Sequence, residues 1–307
     1  MFQKPLWIAF VDLKAAFDSV DRMTLWKLLR SLSLHSKVVD LMEGLYTDTF
    51  SCVNVDDVMS DWFAVGSGVW QGCRIAPDLF LGPMDHMMEH TVHRGMTGVT
   101  LEKEVFTDLD FVDDVSMLSE MMQVLVLALT VMQKKASTFG LRINWSKTKI
   151  LQVPSSSSSS TVQVADGHVE VVRAFVYLEC LIDSSGGSRG EVLHQIGIAR
   201  SCMNMLDKRI WKSSIRLETK LHLYQTYIVP VLMYGCETWA TTKYLLSRLD
   251  AFDTWALLKI MRLPYTRHVS NAEVRGTTGC SLLSHLLIDV CSSLAILLAV
   301  HLARITT

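Results

Sequence analysis

Phe10-Val11-Asp12-Leu13-Lys14-Ala15-Ala16-Phe17-Asp18 and Leu109-Asp110-Phe111-Val112-Asp113-Asp114-Val115 are the stretches whose reading decides the fold. Each places an aspartate at or near the end of a short apolar run, residues 6–11 in the first and 106–112 in the second. The second reads as strand, turn, strand, with Asp113-Asp114 at the turn. An isolated Asp-Asp pair is ordinarily a solvated turn, because Asp tolerates turn geometry. Carboxylates held close together repel unless a cation lies between them, and a divalent metal is the usual one. If both segments lie side by side in one sheet, Asp12 meets Asp113 and Asp114 at one edge. That arrangement suits two ions ~3.5–4 Å apart stabilising the attacking and leaving oxygens of an in-line displacement at phosphorus. The constellation points to nucleotidyl transfer.

Order and company separate this reading from the solvated turn. Between and after the acidic segments come GVWQGCRIAPDLF (68–80), GLRINWSKTKI (140–150) and FVYL (175–178). With FVDLKAAFDSVDR (10–22) and LDFVDDVSML (109–118), this ordered set resembles the reverse transcriptase of non-LTR (LINE-type) retrotransposons. The resemblance continues through LYQTYIVPVLMYGCETW (223–239) to about residue 279, roughly nine-tenths of the chain.

That resemblance implies an α+β fold, a polymerase palm of antiparallel strands backed by helices, followed by a helical thumb-like region. It implies RNA-directed DNA polymerisation in the setting of target-primed retrotransposition, with an RNA template, a DNA primer and deoxynucleoside triphosphates as partners and two Mg2+ (or Mn2+) ions as cofactors. Carried over motif by motif, Asp12 and Asp113 bind both ions, Asp114 assists, and the Leu13 carbonyl adds a ligand. Phe17, five residues after Asp12, stands where the family keeps an aromatic that excludes a ribose 2′-OH; a core aromatic beside Ala15-Ala16 is the plainer reading. Gln71 and Gly72 match the loop that supports the incoming nucleotide, where Gly allows close backbone approach and the Gln amide both donates and accepts. Lys147, in Asn-x-x-Lys-Thr, is the candidate general acid to pyrophosphate, a surface lysine being the alternative. Tyr177-Leu178 matches the start of a primer-grip hairpin.

Departures from the family pattern are specific. Trp70 stands where the family usually has Arg, Val112 replaces a small residue, and Glu179 replaces the Gly after Tyr-Leu. The fingers and endonuclease expected upstream of Asp12 are not in this sequence, which reads as a truncated copy. Two rivals follow. One is a catalytically inactive remnant with at most a nucleic-acid-binding or interaction role. The other is an RNA-dependent RNA polymerase, against which Phe17 argues, because such enzymes need a polar residue for the ribose hydroxyl.

Half of the 307 residues are apolar, enough for one large or two modest cores. Seven scattered cysteines without any Cys-x-x-Cys exclude a disulfide framework or zinc ribbon and fit a reducing, intracellular compartment, nucleus or cytoplasm. The net charge of −2 conceals an asymmetry: residues 1–120 hold 9 Lys/Arg against 19 Asp/Glu, and residues 121–307 hold 20 against 12. Acidic groups come early and a phosphate-facing surface is expected late.

The expected organisation is a palm core at 1–151, a linker with primer-grip-like hairpins at 152–190, a helical region at 191–279 and an apolar tail at 280–307. Asp21 is placed to cap a helix running to about Leu34, with Leu25, Leu28, Leu29 and Leu32 toward the core. A helix at 37–46 places Val38, Leu41, Met42 and Leu45 on one face. Pro77 suits the first turn of another, which Pro83 should kink or delay. A helix at 120–139 ends at Gly140, with Met121, Val124, Leu125, Leu129 and Met132 as its core face. The serine run at 155–160 reads as a linker, and Asp166-Gly167 as a hairpin turn. Lys208, Arg209, Lys212, Arg216 and Lys220 suggest a basic stripe on a surface helix. In the tail, the uncharged run at 290–300 is too short for the ~20 residues of a membrane span, so no membrane role is expected. The sequence leaves the oligomeric state open.

Overall fold

The apolar run at the head of the chain becomes the middle of a sheet. In a computed structural model, which describes residues 5–32, 34–92, 98–101, 104–154, 161–263, 267 and 269–290, strand β1 (Leu6–Val11) carries four consecutive buried residues, Ile8 to Val11. A strand buried on both faces needs partners on both edges, and β1 has them. The chain forms two compact units, Met1–Phe175 and Val176–Thr307, and the boundary falls inside the segment expected as linker and hairpins.

In the first unit, β1 is followed by a single turn, α1 (Ala16–Ser19), and by α2 (Arg22–Ser31) and α3 (Ser36–Tyr46). Short strands β2 (Phe50–Ser51), β3 (Asn54–Val55), β4 (Val58–Met59) and β5 (Phe63–Ala64) pair as β2–β5 and β3–β4. Helix α4 (Ala76–Thr91) leads to β6 (Val99–Leu101) and β7 (Glu104–Phe106), then β8 (Asp108–Phe111) and β9 (Asp114–Ser119). Helix α5 (Met122–Thr138) precedes β10 (Lys149–Val153), β11 (Thr161–Val164) and β12 (Gly167–Val172). The main sheet runs β11-β12-β10-β1-β9-β8; β10 and β12 are parallel and the other pairs antiparallel. Residues 161–172 therefore extend the sheet that begins with β1. The fold is α+β, with α2, α4 and α5 supplying Leu25, Leu29, Phe80, Met87, Leu125 and Met132 to the core beneath it.

Asp21 caps α2, accepting from the backbone N–H of Thr24 at 2.7 Å, a cap that typically contributes ~1 kcal/mol. The helix ends at Ser31 rather than Leu34, and Leu32 lies exposed beyond it. In helix α3, Val39 and Tyr46 are buried, while Val38, Leu41 and Leu45 face solvent. Periodicity placed those three on one face but did not say which face meets the core. Pro83 neither delays nor ends α4 and sits buried within it. Met121 is the exposed N-cap before α5, whereas Leu125, Leu129 and Met132 are buried. The loop of the β11–β12 hairpin is Ala165-Asp166, with Gly167 opening β12 against Trp145, where a Cβ would fall 2.4 Å from the indole ring. Close packing, not turn geometry, explains that glycine. The serine run at 155–160 lies outside the described residues.

Strand β13 (Ala174–Tyr177) crosses the boundary, and its hairpin partner β14 (Cys180–Asp183) lies in the second unit. That unit continues as α6 (Arg189–Met205), a π turn at Asp207–Trp211, α7 (Leu217–Leu223), a π turn at Tyr224–Ile228, α8 (Val229–Leu232), α9 (Lys243–Ile260) and α10 (Asn271–Thr278). Trp211, Tyr224, Leu249 and Leu257 centre its core. The expected basic stripe is broken. Lys208 and Arg209 lie in a π turn and Lys212 pairs with Asp207 at 2.7 Å. Lys220 is buried and donates to the carbonyls of Trp211 and Ser213, both at 2.8 Å. A buried ammonium is tolerable where it satisfies otherwise orphaned carbonyls. Among the described residues no helix is long and apolar enough to cross a membrane, and tail residues 291–307 fall outside them.

Candidate active site

Three chain segments meet at the end of β1. The register pairs Val11 with Val115, so Asp12, the next residue, comes opposite Asp114. Strand β9 reaches that point from β8 through a two-residue loop, Val112-Asp113, closed by the Phe111–Asp114 pair. Val112 holds φ at 59°, a left-handed conformation unusual for a β-branched residue, while its half-buried side chain packs on the core. Strain of this kind costs on the order of 1–3 kcal/mol and persists only where surrounding structure enforces it.

The third segment is 142–148. The Asp12 carbonyl accepts from Asn144 N–H at 2.8 Å, and Lys14 N–H donates to the Arg142 carbonyl at 2.8 Å. These two bonds flank the Leu13–Ile143 bridge and do not use Leu13 itself. The Asp12 N–H donates to Thr148 Oγ1 at 3.3 Å, and Lys147 Nζ stands 4.0 Å from Asp12 Oδ1. In Asn-x-x-Lys-Thr, then, the first and last residues hold the Asp12 backbone and the lysine faces its carboxylate.

Electrostatics at this edge favour a cation. Burial, then the charges of Asp113 and Asp12, push the Asp114 carboxyl above its usual range. Asp12 Oδ2 is buried without a hydrogen-bond partner among the described residues. A buried carboxylate oxygen lacking a donor is costly, and hard oxygen ligands in a like-charged cluster fit Mg2+ or Mn2+. The carboxylates of Asp12, Asp113 and Asp114 offer oxygen donors of the kind a divalent ion takes.

The remaining first-unit candidates, Phe17, Gln71 and Gly72, lie on the segment after β1 and on the loop bonded to it. Phe17 is half-buried and stacks on Phe80, ring centroids 4.7 Å apart, and its carbonyl accepts from Val69 N–H at 2.7 Å. That bond ties the loop of Gln71 and Gly72 to the segment after β1. Gly68 holds φ at 80°, and a Cβ there would meet the Asp18 carbonyl oxygen at 2.6 Å. Gly72 holds φ at 84° with open space around it, and Gln71 is exposed. Trp70 stacks on Tyr46 at 4.6 Å, so the residue standing in for the family's Arg is part of an aromatic pile with Trp26.

Tyr177 and Leu178 belong to the second unit. Tyr177 closes β13, and Leu178-Glu179 form its hairpin loop with φ of 48° and 63°. The Leu178 carbonyl accepts from the Tyr234 hydroxyl at 3.3 Å.

Three contributors escaped the sequence reading. Thr148, fully buried, is one. Arg22 is another: its buried guanidinium donates to the carbonyls of Tyr46, Val65 and Gly68 and to Thr49 Oγ1, which fixes the entrance of the 68–72 loop. An arginine in the first turn of an apolar helix face was the available signal. The third is an acidic group on β8 itself. Desolvation by the surrounding chain, then Asp108 and Asp85, pushes the Asp110 carboxyl up to about 7, although its side chain keeps a solvent-facing edge.

Residues 2–178 match the family described as reverse transcriptase (RNA-dependent DNA polymerase). The chain is similar to the Pol polyprotein of a type-1 retrotransposable element R2 from Nasonia vitripennis, 27% identical over 161 residues, covering 52% of this chain and 16% of that one. An R2 polyprotein from Popillia japonica is 21% identical over 269 residues, covering 83% and 42%. The chain thus spans less than half the length of these two relatives. Among solved structures, telomerase from Candida albicans with a fragment of telomeric RNA has a TM-score of 0.39 at 14% identity, covering 84% of this chain and 44% of that one.

Proposed function

The chain belongs to the reverse transcriptase (RNA-dependent DNA polymerase) family, and from that premise we propose that its first unit houses a two-metal centre for RNA-directed DNA synthesis. The observation carrying this reading is the buried Asp12 Oδ2, without a hydrogen-bond partner among the described residues, beside Asp114, whose carboxyl is raised by burial and by Asp113 and Asp12. Asp12, Asp113, Asp114 and the Leu13 carbonyl would hold the ions. When bound, two divalent ions activate a primer 3′-hydroxyl for attack on the α-phosphate of a deoxynucleotide and neutralise the pyrophosphate that leaves.

The chain's own residues position and discriminate. Phe17, backed by Phe80, presents a rigid wall that a ribose 2′-OH would strike. The exposed Gln71 amide contacts the nucleotide, and Gly72 lets backbone approach without a side chain. Lys147 sits on a mostly exposed arm facing Asp12 and delivers a proton to pyrophosphate. Tyr177 and Leu178 contact the primer. RNA template, DNA primer and deoxynucleoside triphosphates are the proposed partners, and retrotransposition is the proposed setting.

A second reading is a nucleic-acid-binding remnant without activity. Trp70, engaged with Tyr46 where the family has a cation, and Glu179, a carboxylate in the hairpin loop, favour it. Primer extension on poly(A) with oligo(dT), in Mg2+ and then Mn2+, separates the two. The polymerase reading expects metal-dependent extension that disappears in Asp113→Asn. Binding of template-primer without extension in either metal supports the remnant. Equal extension by wild type and Asp113→Asn overturns the catalytic assignment.

A further inference from the structure

We propose a separate transition-metal site on the outer face of α4, formed by His86, Glu89 and His90, that takes Zn2+ or a similar borderline divalent ion and ties the last turns of the helix together. Residues at i, i+3 and i+4 share one helix face. Here one ligand atom from each of the three lies within 4.8 Å of the others.

A second observation concerns ring orientation. His90 Nδ1 lies 2.7 Å from the His86 carbonyl oxygen. A carbonyl only accepts, so Nδ1 carries the proton and, in the neutral ring, Nε2 is the nitrogen left with a lone pair. Donation of the other ring N–H to a backbone carbonyl is the arrangement that metal-bound histidines adopt, because it fixes the tautomer and ring direction. His86 is likewise held, its ring edge-on to Phe139 at 5.7 Å and 4.3 Å from the His90 ring. Glu89 and His90 are exposed, and His86 is half-buried.

Two imidazole nitrogens and one carboxylate oxygen form a borderline donor set suited to Zn2+, Co2+, Ni2+ or Cu2+ rather than Mg2+. Around a four-coordinate zinc with bonds of ~2.0–2.1 Å, donors sit about 3.3 Å apart, a closure within reach of Glu89's flexible side chain. Three protein ligands leave the fourth position for water. Lys135 on α5 is close enough to act on His86, and Glu89 offsets its charge. The opposite face of α4 is fixed in the core through Phe80, Met84 and Met87, so an ion here braces an already anchored helix. Ion binding to the folded chain alone raises its stability by mass action. The donor set differs from the Asp12–Asp113–Asp114 oxygens, so the proposal stands apart from the polymerase reading.

The test uses the full chain with Co2+ as visible-absorbing probe, in excess Mg2+ to saturate the carboxylate site. The expected result is one equivalent of Co2+ giving ligand-field bands, displaced by Zn2+, with Zn2+ raising the melting temperature of the wild type but not of His90→Gln. His86→Gln and His90→Gln should each weaken binding at least about tenfold, and Asp113→Asn should leave it unchanged. Metal-free melting and circular dichroism check each variant's fold, and Glu89→Gln, at an exposed position, replaces His86→Gln if that variant does not fold. No Co2+ binding by the wild type, or the same affinity in His90→Gln and Glu89→Gln as in the wild type, overturns the site. A loss of Co2+ binding in Asp113→Asn overturns it as well, by showing that the ion sits on the catalytic carboxylates.

Discussion

Thr148 Oγ1 accepts the backbone N–H of Asp12 at 3.3 Å, across 136 positions of sequence, from a side chain with no exposed surface. Val is nearly the same shape but offers no acceptor. Thr148→Val should leave the Asp12 N–H unpaired and cost about 1–3 kcal/mol, lowering the melting temperature, while Thr148→Ser keeps most of that stability. Asp12 would also be held less firmly, so divalent-ion affinity should fall in the valine variant. Isothermal titration and thermal melts check both, and identical melts for all three proteins would show that the contact carries nothing.

Two glycines in one motif should respond differently to alanine. Gly68→Ala places a Cβ against the Asp18 backbone at 2.6 Å and at positive φ, which forces the chain after β1 to shift. Gly72→Ala meets no atom within 4 Å and suffers only its φ of 84°, a penalty of about 1 kcal/mol. Urea denaturation should rank Gly68→Ala well below Gly72→Ala, and the reverse order would contradict the packing at Asp18.

Glu179 holds φ of 63° in the second position of a two-residue hairpin loop, the place where glycine is preferred. Glu179→Gly should stabilise the second unit by about 1 kcal/mol. Glu179→Ala removes the same charge but keeps the Cβ, and it should gain little. If both variants gain equally, charge rather than backbone strain is responsible.

Asp110 gives the first unit a pH signature. Its folded pKa, about 7, lies above its ordinary value, so between these values the native state binds more protons than the unfolded chain. Stability from this group is therefore greatest at low pH and lost as pH rises through about 7. Discounted for the solvent-facing edge, the effect is about 1 kcal/mol, or about 2–4 °C in melting temperature for a unit of this size. Asp110→Asn should flatten that dependence between pH 5 and 8 by about this amount. An unchanged profile would mean that Asp110 is ionised throughout.

What was legible depended on how local the cause is. Asp21 as a cap, Gly140 ending α5 at φ of 76°, and β1 as a buried strand each follow from a few adjacent residues. The strand, turn, strand reading of residues 109–115 is met by β8–β9, but the turn is Val112-Asp113 and Asp114 already opens β9. Arg22 and Thr148 were not legible, since their partners lie 24 to 136 residues away. Gly167 looked like turn chemistry and is instead a position where Trp145 leaves no room for a Cβ.

The sequence by itself determined the motif order, the polymerase family and the short-range geometry, because caps, turns and strand periodicity are settled within a few residues of chain. Only the tertiary structure decided which face of α3 is buried, that Lys220 spends its charge on the Trp211 and Ser213 carbonyls, and that Asp12 lies opposite Asp114. Burial is a property of the neighbours that fold against a residue, not of the residue. Those neighbours are chosen by the packing of a whole unit, so no local pattern in the sequence announces them.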